Sequence, residues 1–312
     1  MEDIVKEKYL TDIAYDCYND RMAISSTTRK IHILEKNELE EWVEVASWDS
    51  QDVVLKLQWS VHEYNNLLIS CGQDKQIIIW KEDKENGWEL IAKIQDFSDS
   101  VEDISICPGI HGLKVAAVTS NGFLKIFGTR DYVEYRNWDC LQTRDLNSSG
   151  CTSVCWNPSV HDPQTLVVGS KLDPSAENKG RDQLIRIFWY NEKKKEYMFA
   201  SDLIGHEDTV TDVEWVNTYG RTYHFIASVS LDKSIIIWKL DFEFIPDIKQ
   251  VDEIKIKYCQ ILNYKHTHPL WRVSWGPLGS KLSAEGEDGK VLIFYNNNGM
   301  YEQMIIEEDQ DI

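Results

Sequence analysis

Ser228-Val-Ser-Leu-Asp-Lys-Ser-Ile-Ile-Ile-Trp238 decides how the whole chain is read. It predicts the end of one strand, a tight Leu-Asp-Lys turn and a second strand with no polar break from Ile235 to Trp238. A continuous apolar run of that length suits a strand sandwiched between layers rather than one half-exposed to water. Upstream, Gly205-His206 opens the same unit, nine residues before Trp215.

The register of that stretch recurs. A turn residue with an acidic, amide or hydroxyl side chain is followed six positions later by a large apolar one. The pairs are Thr28 and Leu34, Asp74 and Trp80, Asn121 and Phe127, Asp182 and Phe188, Asp232 and Trp238, Asp288 and Phe294. The turn residues are 46, 47, 61, 50 and 56 positions apart, slightly more than the roughly 40–45 residues of a WD-repeat unit, so loops are inserted. A second register comes from aromatics expected to open the outermost strands: Trp42, Trp88, Trp138, Tyr197 and Tyr258. Each precedes the centre of the next innermost strand, at Trp59, Ile106, Trp156, Trp215 and Trp275, by seventeen or eighteen residues.

Together these predict an all-β fold, a six-bladed WD-repeat β-propeller forming a single domain over 1–312. Its blades fall at about 9–48, 52–94, 101–144, 151–203, 208–264 and 270–306, with an acidic tail at 307–312. Lys171 to Arg181, polar with Pro and Gly, is expected to be an exposed loop, and a second insertion, Asp241 to Glu253, is expected ahead of the fifth outer strand.

Composition narrows the function. A formal net charge of −19 argues against nucleic acid or an anionic membrane surface as a direct ligand, because both demand basic surface. No run of eighteen apolar residues is present, so no transmembrane helix and no membrane insertion are expected. Met1 to Lys8 is charged and lacks the apolar core of a signal peptide, which points to an intracellular protein. Seven dispersed cysteines then read as reduced, mostly buried thiols without the spacing of a zinc site.

The residues that invite a chemical reading are His206, Ser228, Ser230 and Asp232. Asp232 can accept from the His206 ring, which can reach Ser228 or Ser230, whose hydroxyl can meet the Trp238 indole. An Asp-His-Ser set resembles a hydrolase triad, but no nucleophile elbow or oxyanion motif surrounds either serine. The expected role is a structural hydrogen-bond network with no catalysis and no cofactor. His266-Thr-His268 reads as a metal-chelating pair with no Asp, Glu or Cys placed to complete it, so no metal is expected. Gly286-Glu-Asp-Gly289 is a β-turn signal rather than a phosphate loop. The third strands end in Trp80-Lys81 and Trp238-Lys239, without the Trp-Asp-x-Arg box of ligase-adaptor propellers.

Strand counting at the two ends adds a further expectation. Tyr15 marks the first innermost strand, and the last unit has its own outer strand at Tyr301 to Ile306. No N-terminal strand is then spare to latch the last blade, so an open six-bladed arrangement is expected rather than a ring sealed by its own chain. A partner is expected to add strands beside the first blade.

Cys107-Pro-Gly-Ile-His-Gly-Leu-Lys-Val-Ala-Ala117 with Asn121-Gly-Phe-Leu-Lys-Ile-Phe127, Tyr135-Arg-Asn-Trp138, Trp156-Asn-Pro158, and Leu270 to Trp275 with Glu287-Asp-Gly-Lys-Val291 carry a resemblance. The chain resembles, over nearly its full length, the small WD-repeat nucleoporins of the Y-shaped outer-ring complex, whose paralogue is the propeller of the COPII coat cage. It departs from them in its partial Asp-His-Ser-Trp networks and in Thr28, which stands where the first blade would have Asp. The resemblance implies a scaffold subunit at the nuclear pore and nuclear envelope, serving protein and mRNA transport. It implies an α-solenoid nucleoporin that supplies a β-blade, other Y-complex nucleoporins as partners, and a second assembly, the TOR-regulating coat-like complex at the vacuole or lysosome. The alternatives are a COPII cage propeller and a peptide-reading WD-repeat adaptor. The residues expected to face the partner blade are Tyr9, Leu10, Ile13 and Tyr15 on one side and Trp271, Val273, Trp275 and Phe294 on the other.

Overall fold

The structure, a computed structural model, describes residues 9–64, 67–83, 87–146, 149–173, 183–216, 220–245, 253–297 and 299–304. Their strands form six four-stranded sheets, the six blades of an all-β propeller fold. The first holds β1 to β4 (Leu10–Tyr15, Arg21–Ser26, Lys30–Lys36, Trp42–Asp49) and the second β5 to β8 (Val54–Trp59, Leu68–Gly72, Ile77–Asp83, Gly87–Ile94). The third holds β9 to β12 (Val101–Ile106, Lys114–Thr119, Phe123–Gly128, Asp139–Asp145). The fourth holds β13 to β16 (Cys151–Trp156, Thr165–Ser170, Ile185–Asn191, Glu196–Asp202). In the fifth are β17 to β20 (Val210–Trp215, His224–Ser230, Ser234–Ile245, Glu253–Lys265), and in the sixth β21 to β24 (Leu270–Trp275, Lys281–Gly286, Val291–Asn297, Met300–Gln303). Two compact units divide the chain at Trp156 and Asn157.

The six apolar residues that set the register, Leu34, Trp80, Phe127, Phe188, Trp238 and Phe294, all lie buried on the third strand of their sheet. Asp182, the fourth turn residue, and most of the Lys171 to Arg181 insertion lie outside the described residues, as do 305–312 with the acidic tail. The insertion expected from Asp241 to Glu253 is different in kind. Asp241 to Ile245 continue β19 and pair with Glu253 to Lys257 of β20, so Tyr258 sits within its strand rather than at its start. In this extension Phe242 pairs with Ile256, while Glu243 and Lys257 form an ion pair on the exposed side. The period-two alternation of a half-buried strand is there, in a segment expected as an insertion. The cysteines are also more exposed than expected: Cys71, Cys107 and Cys151 are buried, whereas Cys17, Cys140 and Cys259 face solvent.

Within each compact unit, adjacent sheets are joined by apolar packing, and a polar clasp recurs between β1 and β5, β9 and β13, and β17 and β21. In the first unit Ala23, Ile31 and Ile33 of the first sheet pack with Leu57, Trp59 and Ile78 of the second. Asp12 Oδ2 accepts from the Leu57 N–H at 2.8 Å, and the Trp59 indole donates to the Ala14 carbonyl at 3.1 Å. Asp103 does the same for the Val154 N–H at 2.8 Å, with the Trp156 indole on the Ser105 carbonyl at 3.0 Å. In the second unit Asp212 accepts from the Val273 N–H at 3.0 Å and the Trp275 indole donates to the Glu214 carbonyl at 3.1 Å. Each clasp satisfies an innermost-strand N–H and the polar edge of a large indole. The aspartate stands three residues before the apolar centre of its own innermost strand, at Tyr15, Ile106 and Trp215, a signal visible in the sequence but not singled out there.

Asp212 is largely buried, and its other oxygen accepts from the Val213 N–H at 2.9 Å. Replacing it with alanine is expected to remove an acceptor from two interior N–H groups. The Asp212→Ala chain should lose on the order of 1–3 kcal/mol in urea unfolding relative to the parent, and an unchanged midpoint would remove the clasp as a stabilising device.

Candidate functional site

In the fifth sheet the structure places His206 between Asp232 and Ser228. Asp232 Oδ2 lies 3.0 Å from His206 Nδ1, and Ser228 Oγ lies 2.7 Å from Nε2. The Trp238 indole donates to the same Ser228 oxygen at 2.8 Å. A tautomer protonated at Nδ1 gives a continuous relay: indole N–H to Ser228, Ser228 O–H to His206, His206 N–H to Asp232. Ser230 stands outside it, accepting from the Asp232 N–H at 3.0 Å and donating to the Asp208 carbonyl at 3.1 Å. The serine missed from sequence is Ser234, two residues past the aspartate, which donates to Asp232 Oδ1 and lies 2.9 Å from His206 Nδ1. Gly205 lets these groups close up, since a Cβ there would come within 2.8 Å of the Trp238 ring.

Burial pushes the Asp232 carboxyl up, but His206, Ser234 and the Glu207 N–H at 2.8 Å outweigh it and hold it well below the usual carboxylate range. Every polar atom of this relay is directed at another member, and Ser228 is fully buried. The arrangement locks a turn and offers no hydroxyl to a substrate.

The other candidates separate into two groups. Tyr9, Leu10, Ile13 and Tyr15 come together along β1 and all are exposed. Tyr15 occupies the position held by Trp59 in the next sheet, yet it is 52% exposed where Trp59 is 7% exposed. Ile13 is exposed, while its counterparts Leu57, Ile104, Val154 and Val213 are buried. Ile13 pairs with Ile24 and Tyr15 with Met22, and Met22, Ile24 and Leu34 form a small apolar cluster with Trp42 against it. The Tyr15 and Trp42 rings lie 5.9 Å apart. This face of the first sheet is therefore apolar through two layers and open to water at its innermost strand.

Of the four sixth-sheet candidates Trp271 is exposed and Trp275 partly buried. Val273 and Phe294 lie inside the core that the fifth and sixth sheets share, and Trp275 stacks on Phe225 at 6.5 Å. All three pack on the fifth-sheet side. The register places them with Leu282 and Ala284 on the side packed against the fifth sheet, and the opposite side carries Arg272, Ser274, Lys281, Ser283 and Glu285. Period two identifies the two faces of a strand without saying which neighbour each meets. One further expectation is corrected: an acid does stand beside the His266 and His268 pair. Asp288 Oδ2 lies 3.2 Å from His266 Nε2 and 3.7 Å from His268 Nδ1.

Comparison with known proteins fits this geometry. The family model for "WD domain, G-beta repeat" matches residues 45–81 and 198–239, segments that end at Trp80-Lys81 and Trp238-Lys239. The chain is 28% identical over 299 residues to nucleoporin SEH1 of Bos taurus, covering 92% of this chain and 81% of that protein. It is 27% identical to nucleoporin SEH1 of Homo sapiens over the same shares, and 27% identical over 304 residues to that of Danio rerio, covering 92% and 80%. Over nearly its whole length the chain is similar to these WD-repeat nucleoporins.

The Asp-His-Ser set, bonded within the fifth sheet, can be tested through stability. His206→Ala is expected to cost on the order of 1–3 kcal/mol by leaving Asp232 and Ser228 underbonded, measured by urea unfolding. Because the folded Asp232 carboxyl titrates below its unfolded value of about 3.9, its contribution is complete above that pH and lost as pH falls through the folded value. The stability gap between the parent and Asp232→Asn should therefore narrow on acidification below about pH 4. A gap that stays constant down to the acid limit would contradict the assignment.

Proposed function

We propose that the chain is a structural subunit of the nuclear pore outer ring at the nuclear envelope, where it holds an α-solenoid nucleoporin by accepting that partner's β-blade against its first sheet. The observation that carries this reading is the exposed apolar face of Ile13 and Tyr15, at positions that the following sheets bury. The six sheets are built in chain order, with β1 the innermost strand of the first and β24 the outermost of the sixth. Among the described residues, the sixth sheet therefore takes no strand from the N-terminal part of the chain.

Adding a blade would cover Tyr9, Leu10, Ile13 and Tyr15 and bury the cluster of Met22, Ile24 and Leu34 more deeply. Each large apolar side chain moved fully from water into such an interface contributes about 1.5–3 kcal/mol, and obligate interfaces of this kind bury on the order of 2,000 Å² or more. The first sheet is the better docking face. Its open side is apolar, whereas the corresponding side of the sixth sheet presents Arg272, Lys281, Ser283 and Glu285 beside Val291 and Ile293.

Affinity purification of the tagged chain with mass spectrometry is expected to recover nuclear-pore subunits in stoichiometric amount. Recovery chiefly of the TOR-regulating coat-like complex or of the COPII cage would move the site of action, and dominance of a ligase adaptor would overturn the scaffold reading. The double change Ile13→Glu and Tyr15→Glu should release the partner while leaving the circular dichroism spectrum intact. Lys281→Glu on the sixth sheet should not. Undiminished co-purification by the double variant would exclude the first sheet as the docking face.

A further inference from the structure

We propose that His266, His268 and Asp288 in the sixth sheet form a binding site for a divalent transition-metal ion of the Zn2+ type. His266 and His268 lie in the connection between β20 and β21, and Asp288 lies in the turn between β22 and β23. The ligand atoms of all three fall within 4.8 Å of one another. Four ligands at Zn–N and Zn–O distances of about 2.0–2.1 Å sit about 3.3–3.5 Å apart at the corners of a tetrahedron. The observed separations from Asp288 Oδ2, 3.2 Å to His266 and 3.7 Å to His268, bracket that edge. Two neutral imidazoles and one carboxylate are a borderline donor set suited to zinc, and three protein ligands leave the fourth position to water.

Comparison with the fifth sheet separates this cluster from a structural pair. His266 and Asp288 stand where His206 and Asp232 do, but the groups that close the fifth-sheet network are gone. Ser228, Ser230, Ser234 and Trp238 are replaced by Ala284, Gly286, Lys290 and Phe294 at the corresponding positions. His206 has side-chain partners on both ring nitrogens. His266 presents Nε2 to its aspartate instead of Nδ1, and Asp288 is its only side-chain hydrogen-bond partner among the described residues. What is removed is the means of satisfying a histidine internally, and what is added is a second histidine.

The surroundings allow a cation in. A Cβ at position 286 would lie 2.7 Å from Asp288 Oδ1 and 3.4 Å from His266 Nε2, so Gly286 keeps the space clear. The His268 side chain is half-exposed, which provides access from solvent. The Lys290 N–H donates to Asp288 Oδ1 at 3.3 Å and orients the carboxylate, leaving Oδ2 toward the histidines. The Thr267 hydroxyl, 2.9 Å from His268 Nδ1, is the contact a metal would displace. A bound ion would tie the connection into the sixth sheet to its central turn, and its open position would accept one donor from a bound protein or a water.

Titration of the purified 312-residue chain with Co2+, followed by displacement with Zn2+, tests the site. One equivalent of Co2+ is expected, with the intense visible absorption of a four-coordinate ion and no sulfur-to-cobalt charge-transfer band. His268→Gln, a surface change that keeps the contact between His266 and Asp288, should weaken Zn2+ binding at least about tenfold, as should Asp288→Asn. His206→Gln should leave it unchanged. Absence of saturable binding, a thiolate band placing the ion on an exposed cysteine, or full affinity in His268→Gln would each overturn the proposal.

Discussion

A sheet that is apolar on both faces cannot satisfy them alone, and this constraint governs the molecule. The third strands carry runs such as Ile77-Ile-Ile-Trp80 and Ile235-Ile-Ile-Trp238, which need a neighbouring sheet on each side. Within each compact unit the neighbour is present, and at three of the sheet pairs the Asp-to-N–H and indole-to-carbonyl clasp aligns the innermost strands. Packing supplies most of the stabilisation because it is area-dependent and repeated. The clasp supplies direction, since one carboxylate and one indole fix which strand edges meet.

The functional reading follows from where that constraint is left unmet. Tyr15 and Ile13 are at positions that other sheets use to grip a neighbour, and here they meet water. The Asp-His-Ser relay of the fifth sheet is the opposite case, a set of reactive-looking groups so completely bonded to one another that no chemistry is left to them. The most fully bonded polar groups and the most exposed apolar ones thus reside in different sheets.

Much of this was legible in the sequence, because the two registers report burial directly. The six apolar residues six positions past a turn residue occupy equivalent third-strand positions, and the aromatics at seventeen or eighteen residues locate the innermost strands. What escaped was whatever depends on which neighbour a face meets. Val273, Trp275 and Phe294 have the composition of an interface and fill an internal one. The β19 and β20 extension was hidden because Asp241, Glu243, Lys255 and Lys257 mask the alternation of Phe242, Ile254 and Ile256. Asp288 was overlooked as a neighbour of His268 because twenty residues separate them, and it is the pairing of β21 with β22, Leu270 opposite Gly286, that brings that turn to the histidines.

Amide hydrogen exchange of the isolated chain tests the central claim most directly, since protection measures how well each strand is held. The amides of β1 should exchange well ahead of those of β5, β9 and β17, whose innermost strands are covered, and should slow when a blade-donating partner is added. Equal protection of β1 and those strands in the free chain would mean that the first sheet is already covered and needs no foreign blade.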